Sequence, residues 1–540
     1  MRSSFSRAAS TVSRAVRKSV SAGTGGTSIG GSERPSTIRD PTVADVIRYR
    51  YHHGVNLGSI FVLEKWLTPS MFPTEAKLEQ TSELEGATLW VKKLGIEGAR
   101  AKFEEHWANA LTEEDLDWLV NTAHVSSIRL PIGFFSLGPE FCKGTEFEAV
   151  AEIYTNCWLY VQRVVAKARS RGIGVLLDMH ALPGGANEGE HSGTNLGKAK
   201  LWGDRFNLGR AKFALECLLD EAKKMEGVLG VQIVNEAAAD AKGMYEWYDS
   251  LFISLYAIDP TMPLYISDGW NLETAVAYLT VHGATSLRQK TNPIVIDTHF
   301  YWAFSETDRH RPPQAIIDEV PTKLDELNGK DRNVCGSGAV SVVVGEYSCV
   351  LTEECHILGR GAQREDVVRE FGQAQCELYQ SRASGAFFWT LKMDWMPGGE
   401  WGFREQTDIG AITPPPLMTY SVEEIQDRVH DAVTGRDAAM KESLDSHCNY
   451  WDESAPNKNY EHWRYGVGWN IGFDDASAFF TMRANGKLGD SGGGCDRIGL
   501  VDLWVRKRIL ESGMRGDFLW EFEHGIRKGI ADFGRLTGAY

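Results

Sequence analysis

An α/β fold of the (β/α)8 TIM-barrel class is predicted by three features of the sequence. Eight short apolar runs recur in series between residues 54 and 392. The runs are continuously hydrophobic rather than alternating, the mark of parallel strands buried on both faces beneath covering helices. The segments between them, such as 154–172 and 209–227, are amphipathic and end in glycine, so strand alternates with helix. Right-handed strand–helix–strand connections repeated eight times close a barrel. An open doubly wound sheet is the competing arrangement, but no Gly-x-Gly-x-x-Gly follows the first run.

The runs follow one another as GVNLG (from 54), SSIRLPIG (126), IGVLLDMH (173), LGVQIVNE (229), PLYISDG (263), PIVIDTHFY (293), VSVVVGEY (340) and GAFFWTLK (385). Most begin apolar and carry a polar or aromatic residue at or near the end. Read in order, those ends are Arg129, then Asp178 and His180, Asn235 and Glu236, Asp268, His299 and Tyr301, Glu346, and Trp389. A barrel places its chemistry at the C-terminal ends of its strands, and so many polar groups aimed at one mouth exceed what capping needs.

Outside the barrel the chain has two extensions, which divide it into a tail over 1–45, a barrel over 46–480 and a C-terminal helical extension over 481–540. The tail carries Arg2, Arg7, Arg14, Arg17 and Lys18 with no acid before Glu33, and continues into GTGGTSIGGS. It lacks the continuous apolar core of a secretory signal. A disordered cytosolic tail is the favoured reading and a mitochondrial presequence the alternative. After ITPPPLMTY (412–420), three segments with apolar stripes (422–444, 460–480 and 502–534) are expected as helices, one of them closing the barrel.

Composition narrows the partner. With 57 basic against 73 acidic residues and a net charge of −16, the chain repels nucleic acid and anionic membranes, leaving a small neutral or cationic partner. The nine cysteines are scattered, with no Cys-x-x-Cys pair and no zinc spacing, which points to free thiols in a reducing compartment. With no Asn-x-Ser/Thr sequon either, the expected location is the cytoplasm, without secretion.

Glu236 and Glu346 end the fourth and seventh runs, on opposite sides of the mouth, and no Ser-His or Cys-His pair joins them at the strand ends. Paired carboxylates suit hydrolysis of an acetal, one protonating the departing oxygen while the other meets the oxocarbenium ion. A metal site built from His180, His299 and an acid is the rival; the first run lacks the His-x-His of many metal-dependent barrels, and His52 and His53 precede it.

GVNLGSIFVLEKWLTPSMF, IRLPIG, LDMHALPGGANEGEHSGT, VNEA, DTHFY, VGEYS and FFWTLK together, in this order over residues 52–410, resemble glycoside hydrolase family 5, and within it the fungal exo-β-1,3-glucanase group. The resemblance implies a retaining mechanism with Glu236 as acid/base and Glu346 as nucleophile. It implies that Arg129, His299 and Tyr301 organise the nucleophile, that Asn235 holds the sugar 2-hydroxyl and that Trp389 is the platform under the ring. Glu64, His180, Asn187, Glu190 and Phe304 match other substrate-binding positions. No metal or organic cofactor is implied. A protonated Glu236 requires a raised pKa, for which the second carboxylate supplies a cause.

The pattern is broken where Gly58, Ser59 and Ile60 replace Gly-Gly-Trp and where Gly189 replaces an aromatic residue. The expected activity is that of a glucan 1,3-β-glucosidase or β-glucosidase. A glucosylated lipid, sterol or small-molecule aglycone, or a non-catalytic sugar-binding barrel, are the alternatives.

Overall fold

The computed structural model describes residues 34–78, 81–239, 241–329, 333–359 and 361–539. The expected N-terminal tail lies, as far as Glu33, outside them. Eight parallel strands close a barrel in chain order: β1 (His52–Asn56), β2 (Ser127–Gly133), β3 (Gly174–Ala181), β4 (Val228–Gln232), β5 (Leu264–Ser267), β6 (Ile294–Phe300), β7 (Val342–Tyr347) and β8 (Gly385–Phe388). Closure is made where His52 of β1 pairs with Gly385 of β8. Every predicted run supplies one strand, because a strand buried on both faces is written as an unbroken apolar stretch.

Strand periodicity sorts the barrel residues into two cores. Val55, Ile128, Leu177, Val231, Ile296 and Val344 belong to the layer shared with the covering helices. Leu176, Leu229, Tyr265, Val295, Val343 and Phe387 belong instead to a core shared with helix Val43–Tyr49 and the C-terminal helices.

The helices begin and end for local reasons. Helix Arg205–Ala222 starts ahead of the expected 209 because the Asp204 side chain accepts from the backbone N–H groups of Phe206 and Asn207. Helix Cys157–Ser170 ends just before Gly172, which adopts φ 71°. The eighth helical position is taken by the short helix Phe403–Asp408, whose Phe403 ring packs on Phe388, Trp118 and His53.

The four C-terminal helices are Val422–Ser454, Trp463–Met482, Val501–Ser512 and Leu519–Thr537. The last of the three expected segments is therefore broken in two, at Gly513 and Gly516, whose φ of 65° and 104° a helix does not permit. Trp463–Met482 and Leu519–Thr537 cross closely: a Cβ at Gly468, Gly472, Gly525 or Gly529 would lie 2.1–2.3 Å from a backbone oxygen of the facing helix. The extension meets the end of the barrel opposite to the polar mouth, with Tyr49 edge-on to Trp504 and Arg50 bridged to Ile498. Among the described residues no helix is long and apolar enough to cross a membrane.

Candidate active site

At the C-terminal ends of the strands the interior turns polar around Arg129, which is fully buried on β2. Its Nε donates to Gln232 Oε1 at 3.0 Å; Nη1 donates to Asn56 Oδ1 at 3.0 Å and Glu346 Oε1 at 2.8 Å; Nη2 donates to Asn235 Oδ1 at 2.6 Å. Asp178 Oδ2 lies 3.1 Å and Asp297 Oδ2 3.7 Å from Nη2. Burial disfavours a charged guanidinium, but Asp178, Glu346 and Asp297 outweigh it and lock Arg129 in the cationic form. Backbone spacing sets this geometry: a Cβ at Gly345 would sit 1.9 Å from Asp297 Oδ1, so only glycine lets β7 stand this close to the Asp297 carboxylate.

Glu346 is 5% exposed at the end of β7. Arg129 holds one oxygen, and Tyr301 donates its hydroxyl to the other at 2.8 Å. Burial and the adjacent Glu346 push the Tyr301 phenol far above its ordinary pKa, so it remains a donor. His299 Nδ1 stands 2.8 Å from Glu236 Oε1 and 3.6 Å from Glu346 Oε2, while its Nε2 is 3.1 Å from Asp297 Oδ2. The two glutamates thus flank one imidazole, and an oxygen of each lies within 4.8 Å of the other.

Glu236 sits beyond the end of β4 with φ 40°, in the left-handed region that glutamate rarely enters and that costs about 1–3 kcal/mol. Asn187 Nδ2 donates to the Glu236 carbonyl at 2.9 Å and Ser267 Oγ accepts from the next N–H at 3.1 Å, fixing this backbone. The Asn187 side chain is therefore engaged with the loop, its Oδ1 accepting from Gly189 N at 2.9 Å.

The charge state of Glu236 differs from the expected one. Burial raises its pKa, but His191 and His299 reverse this and hold the carboxyl well below the usual range. The reason is positional: His191, in the β3 loop, brings Nε2 to 3.0 Å from Glu236 Oε2, and His299 brings Nδ1 to the other oxygen. The nearest charge partners of Glu236 are imidazoles rather than the second carboxylate. Nothing in the strand pattern marks His191, which lies in a glycine-rich loop 45 positions from Glu236.

The remaining predicted residues line the same mouth. His180 Nδ1 bonds Asp178 Oδ2 at 2.6 Å, its ring lies 13° from parallel with Trp389 at 5.9 Å, and Asn235 Nδ2 is 3.4 Å from its Nε2. Glu64 accepts from Trp66 Nε1 at 2.9 Å, and burial lifts its pKa to about 7 against the opposing pull of His191 and His180. The β1 loop that carries Glu64 is organised by Ser59, whose hydroxyl accepts from Glu64 N at 2.8 Å and bonds Thr68 Oγ1 at 2.6 Å. Trp66, Trp401, Tyr301 and Phe304 form a continuous aromatic wall, with neighbouring ring centroids 5.2–6.3 Å apart and Phe304 61% exposed at its rim. Glu190, at the start of the turn Glu190–Ser192, is partly exposed and has no side-chain hydrogen bond or ion pair among the described residues. Asp268 accepts from Thr298 and from Trp270 N, and so shapes the β5 loop.

Glu236, His299 and Glu346 could in principle share one ion. Arg129, 2.8 Å from Glu346, is already the cation at that place, and His180 is turned away to Asp178.

Comparison with known proteins identifies the family. The family model described as Cellulase (glycosyl hydrolase family 5) matches residues 91–394. The chain belongs to glycosyl hydrolase family 5. This family-5 chain also matches the Glucan 1,3-beta-glucosidase 3 C-terminal domain over residues 432–537. It is 31% identical to Glucan 1,3-beta-glucosidase 3 of Schizosaccharomyces pombe over 89% of its length and 95% of that protein's. An uncharacterized glycosyl hydrolase of Saccharomyces cerevisiae is 27% identical over 92% of this chain and 93% of its own. The crystal structure of rutinosidase from Aspergillus niger shares the fold with a TM-score of 0.51 at 15% identity, covering 68% of this chain and 99% of that one. The family-5 chain is a glycoside hydrolase, and its substrate is a carbohydrate.

Proposed function

We propose that the chain is a retaining exo-acting β-glucosidase for β-1,3-glucan or its oligosaccharides, with Glu346 as nucleophile and Glu236 as acid/base. The observation that carries this reading is the pair itself: carboxylate oxygens within 4.8 Å of each other across one imidazole. Double displacement uses carboxyl groups about 5–5.5 Å apart, whereas inversion needs about 6.5–9.5 Å to admit a water. Glu346 has the surroundings of a nucleophile, oriented by Arg129 on one oxygen and by Tyr301 on the other. Glu236, on the other side of His299, faces the leaving group. Asn235, fixed by Arg129, is placed to meet the 2-hydroxyl, Trp389 to lie under the ring, and Glu64 and Glu190 to take outer hydroxyls. The names of the relatives support glucan as substrate.

A smaller or differently shaped aglycone is the second reading, favoured by Gly189, which stands where the resembled pattern has an aromatic residue. The cytoplasm is the proposed location, supported by nine cysteines that are all free.

A 2-deoxy-2-fluoro-β-glucoside with an activated leaving group tests the mechanism. Mass spectrometry of the digested protein is expected to find the sugar on Glu346, and Glu346→Ala to release no glucose from laminarin. Labelling elsewhere, or undiminished release by the variant, overturns the assignment. Turnover of laminaribiose against that of a glucosylated lipid separates the two substrates.

A further inference from the structure

The β3 loop contains a pair of residues that the two-glutamate scheme does not use. Gly189 has φ −73° and ψ 154°, which any residue can adopt. Yet a Cβ there would lie 2.3 Å from Cε1 and 2.7 Å from Nδ1 of His191. The glycine is required by the place the imidazole occupies and not by the backbone. An aromatic residue at 189 and this position of His191 exclude each other.

His191 is turned inward over the acid/base. Its Nε2 is buried, 3.0 Å from Glu236 Oε2, and among the described residues it has no aligned hydrogen-bond partner. The contact is ionic, with room to align when a substrate arrives; apo contacts of this kind tighten in the complex. The titratable groups around it come from four elements: Glu64 from the β1 loop, Glu236 after β4, Glu346 of β7, and the His180 ring of β3 at 5.9 Å. Burial favours the neutral imidazole, but Glu236, Glu64 and Glu346 outweigh it and lift the His191 pKa to about 9. Glu236, bracketed by His191 and His299, is correspondingly held ionised. A general acid that rests as a carboxylate needs its proton stored nearby.

We propose that His191 stores the proton that Glu236 delivers to the leaving group, and that Gly189 is the residue that makes room for it. In the first half-reaction the glycosidic C1–O bond breaks as a Glu346 oxygen bonds C1. The bond's electron pair stays on the aglycone oxygen, which takes its proton from Glu236, and His191 Nε2 passes its own proton to Glu236 Oε2 and becomes neutral. In the second, water attacks C1 and the ester to Glu346 breaks. The proton lost by water passes through Glu236 back to His191. His191 touches the acid/base and not the sugar, so it is a positioning residue for the proton.

The inference rests on the acid/base role of Glu236, and the experiment separates the two. kcat/KM is measured from pH 4 to 10 with an alkyl β-glucoside, which needs acid assistance, and with 4-nitrophenyl β-glucoside, which needs little. The full-length chain is compared with His191→Gln, Gly189→Ala and Glu236→Ala, each checked for folding by circular dichroism. In His191→Gln the alkaline limb is expected to move down by at least about one pH unit. The alkyl glucoside should then lose on the order of 100-fold at pH 8, the low end of what general acid catalysis supplies, and the nitrophenyl glucoside far less. Gly189→Ala keeps every titratable group but displaces the imidazole, so it should reproduce the same shift. The double variant should add nothing, and this arm stands even where His191→Gln folds poorly. An unmoved alkaline limb, or equal losses on both substrates, overturns the storage role. Full activity of Glu236→Ala on the alkyl glucoside would instead overturn the acid/base assignment beneath it.

Discussion

Arg129 shows how much of the site one side chain organises. Its planar fork reaches Gln232, Asn56, Glu346 and Asn235 at once, while Asp178 and Asp297 balance its charge. Lysine offers a point charge with no such fork and cannot span the four acceptors. Arg129→Lys is therefore expected to keep a folded barrel but to lose about 100-fold or more in kcat/KM, the scale of a 1 Å misplacement of reacting groups. Thermal unfolding and laminarin kinetics on the same preparation check this; wild-type kinetics would show that the fork does not position Glu346. Arg129, Glu236 and Glu346 were legible in the sequence because each interrupts or closes a continuous apolar run. His191 was not, since a loop has no periodicity to mark an inward side chain and its partner is distant in sequence. The charge state of Glu236 was misread for the same reason, because it depends on that hidden neighbour.

At the scale of elements, β1 shows where pattern reading slips. The sequence-based reading starts the strand at Gly54 and leaves His52 and His53 outside, because histidine counts as polar. In the structure both belong to β1 and both are buried. His52 Nδ1 meets Ser127 Oγ at 2.8 Å, Nε2 stands 3.4 Å from the Tyr265 hydroxyl, and the ring stacks on Phe387. Burial lowers the pKa of His52 from 6.5 to about 3 and that of His53 from 6.5 to about 4. A base whose folded pKa is depressed stabilises the fold above its unfolded pKa, and that contribution fades as pH falls through 6.5 towards the folded value. Each such histidine makes the folding free energy fall by about 1.4 kcal/mol per pH unit over that window. His52→Gln, which cannot titrate, should accordingly lose less stability between pH 6 and 4 than the parent, by about that slope. Urea unfolding at pH 7, 6, 5 and 4 measures the difference, and parallel curves would mean that His52 is not the buried neutral base. The other seven strands were legible by the rule that missed these two positions, since apolar residues predominate in each of them.

At the scale of the whole molecule, barrel and extension are built on one core. The residues of β3–β8 in that core share one apolar cluster with helix Val43–Tyr49 and the C-terminal helices. The sequence revealed helices there but not their docking, because an amphipathic stripe shows that a face is buried and not what covers it. Ionic ties cross the same junction. Asp496, fully buried, pairs with Arg50 at 3.5 Å and with Arg483 at 3.1 Å, and Arg50 also donates to the carbonyls of Ser126 and Gly172. One carboxylate thus serves two buried guanidinium groups, one ahead of β1 and one in the extension. Asp496→Ala would leave both without their counter-ion, and breaking a buried pair by removing one partner costs about 3–5 kcal/mol. Nothing in this cluster touches the mouth at the far end of the strands. The expected result is a large fall in the urea midpoint, with KM and kcat per folded molecule unchanged at low temperature. A variant of normal stability with impaired turnover would show instead that the extension acts on the catalytic end.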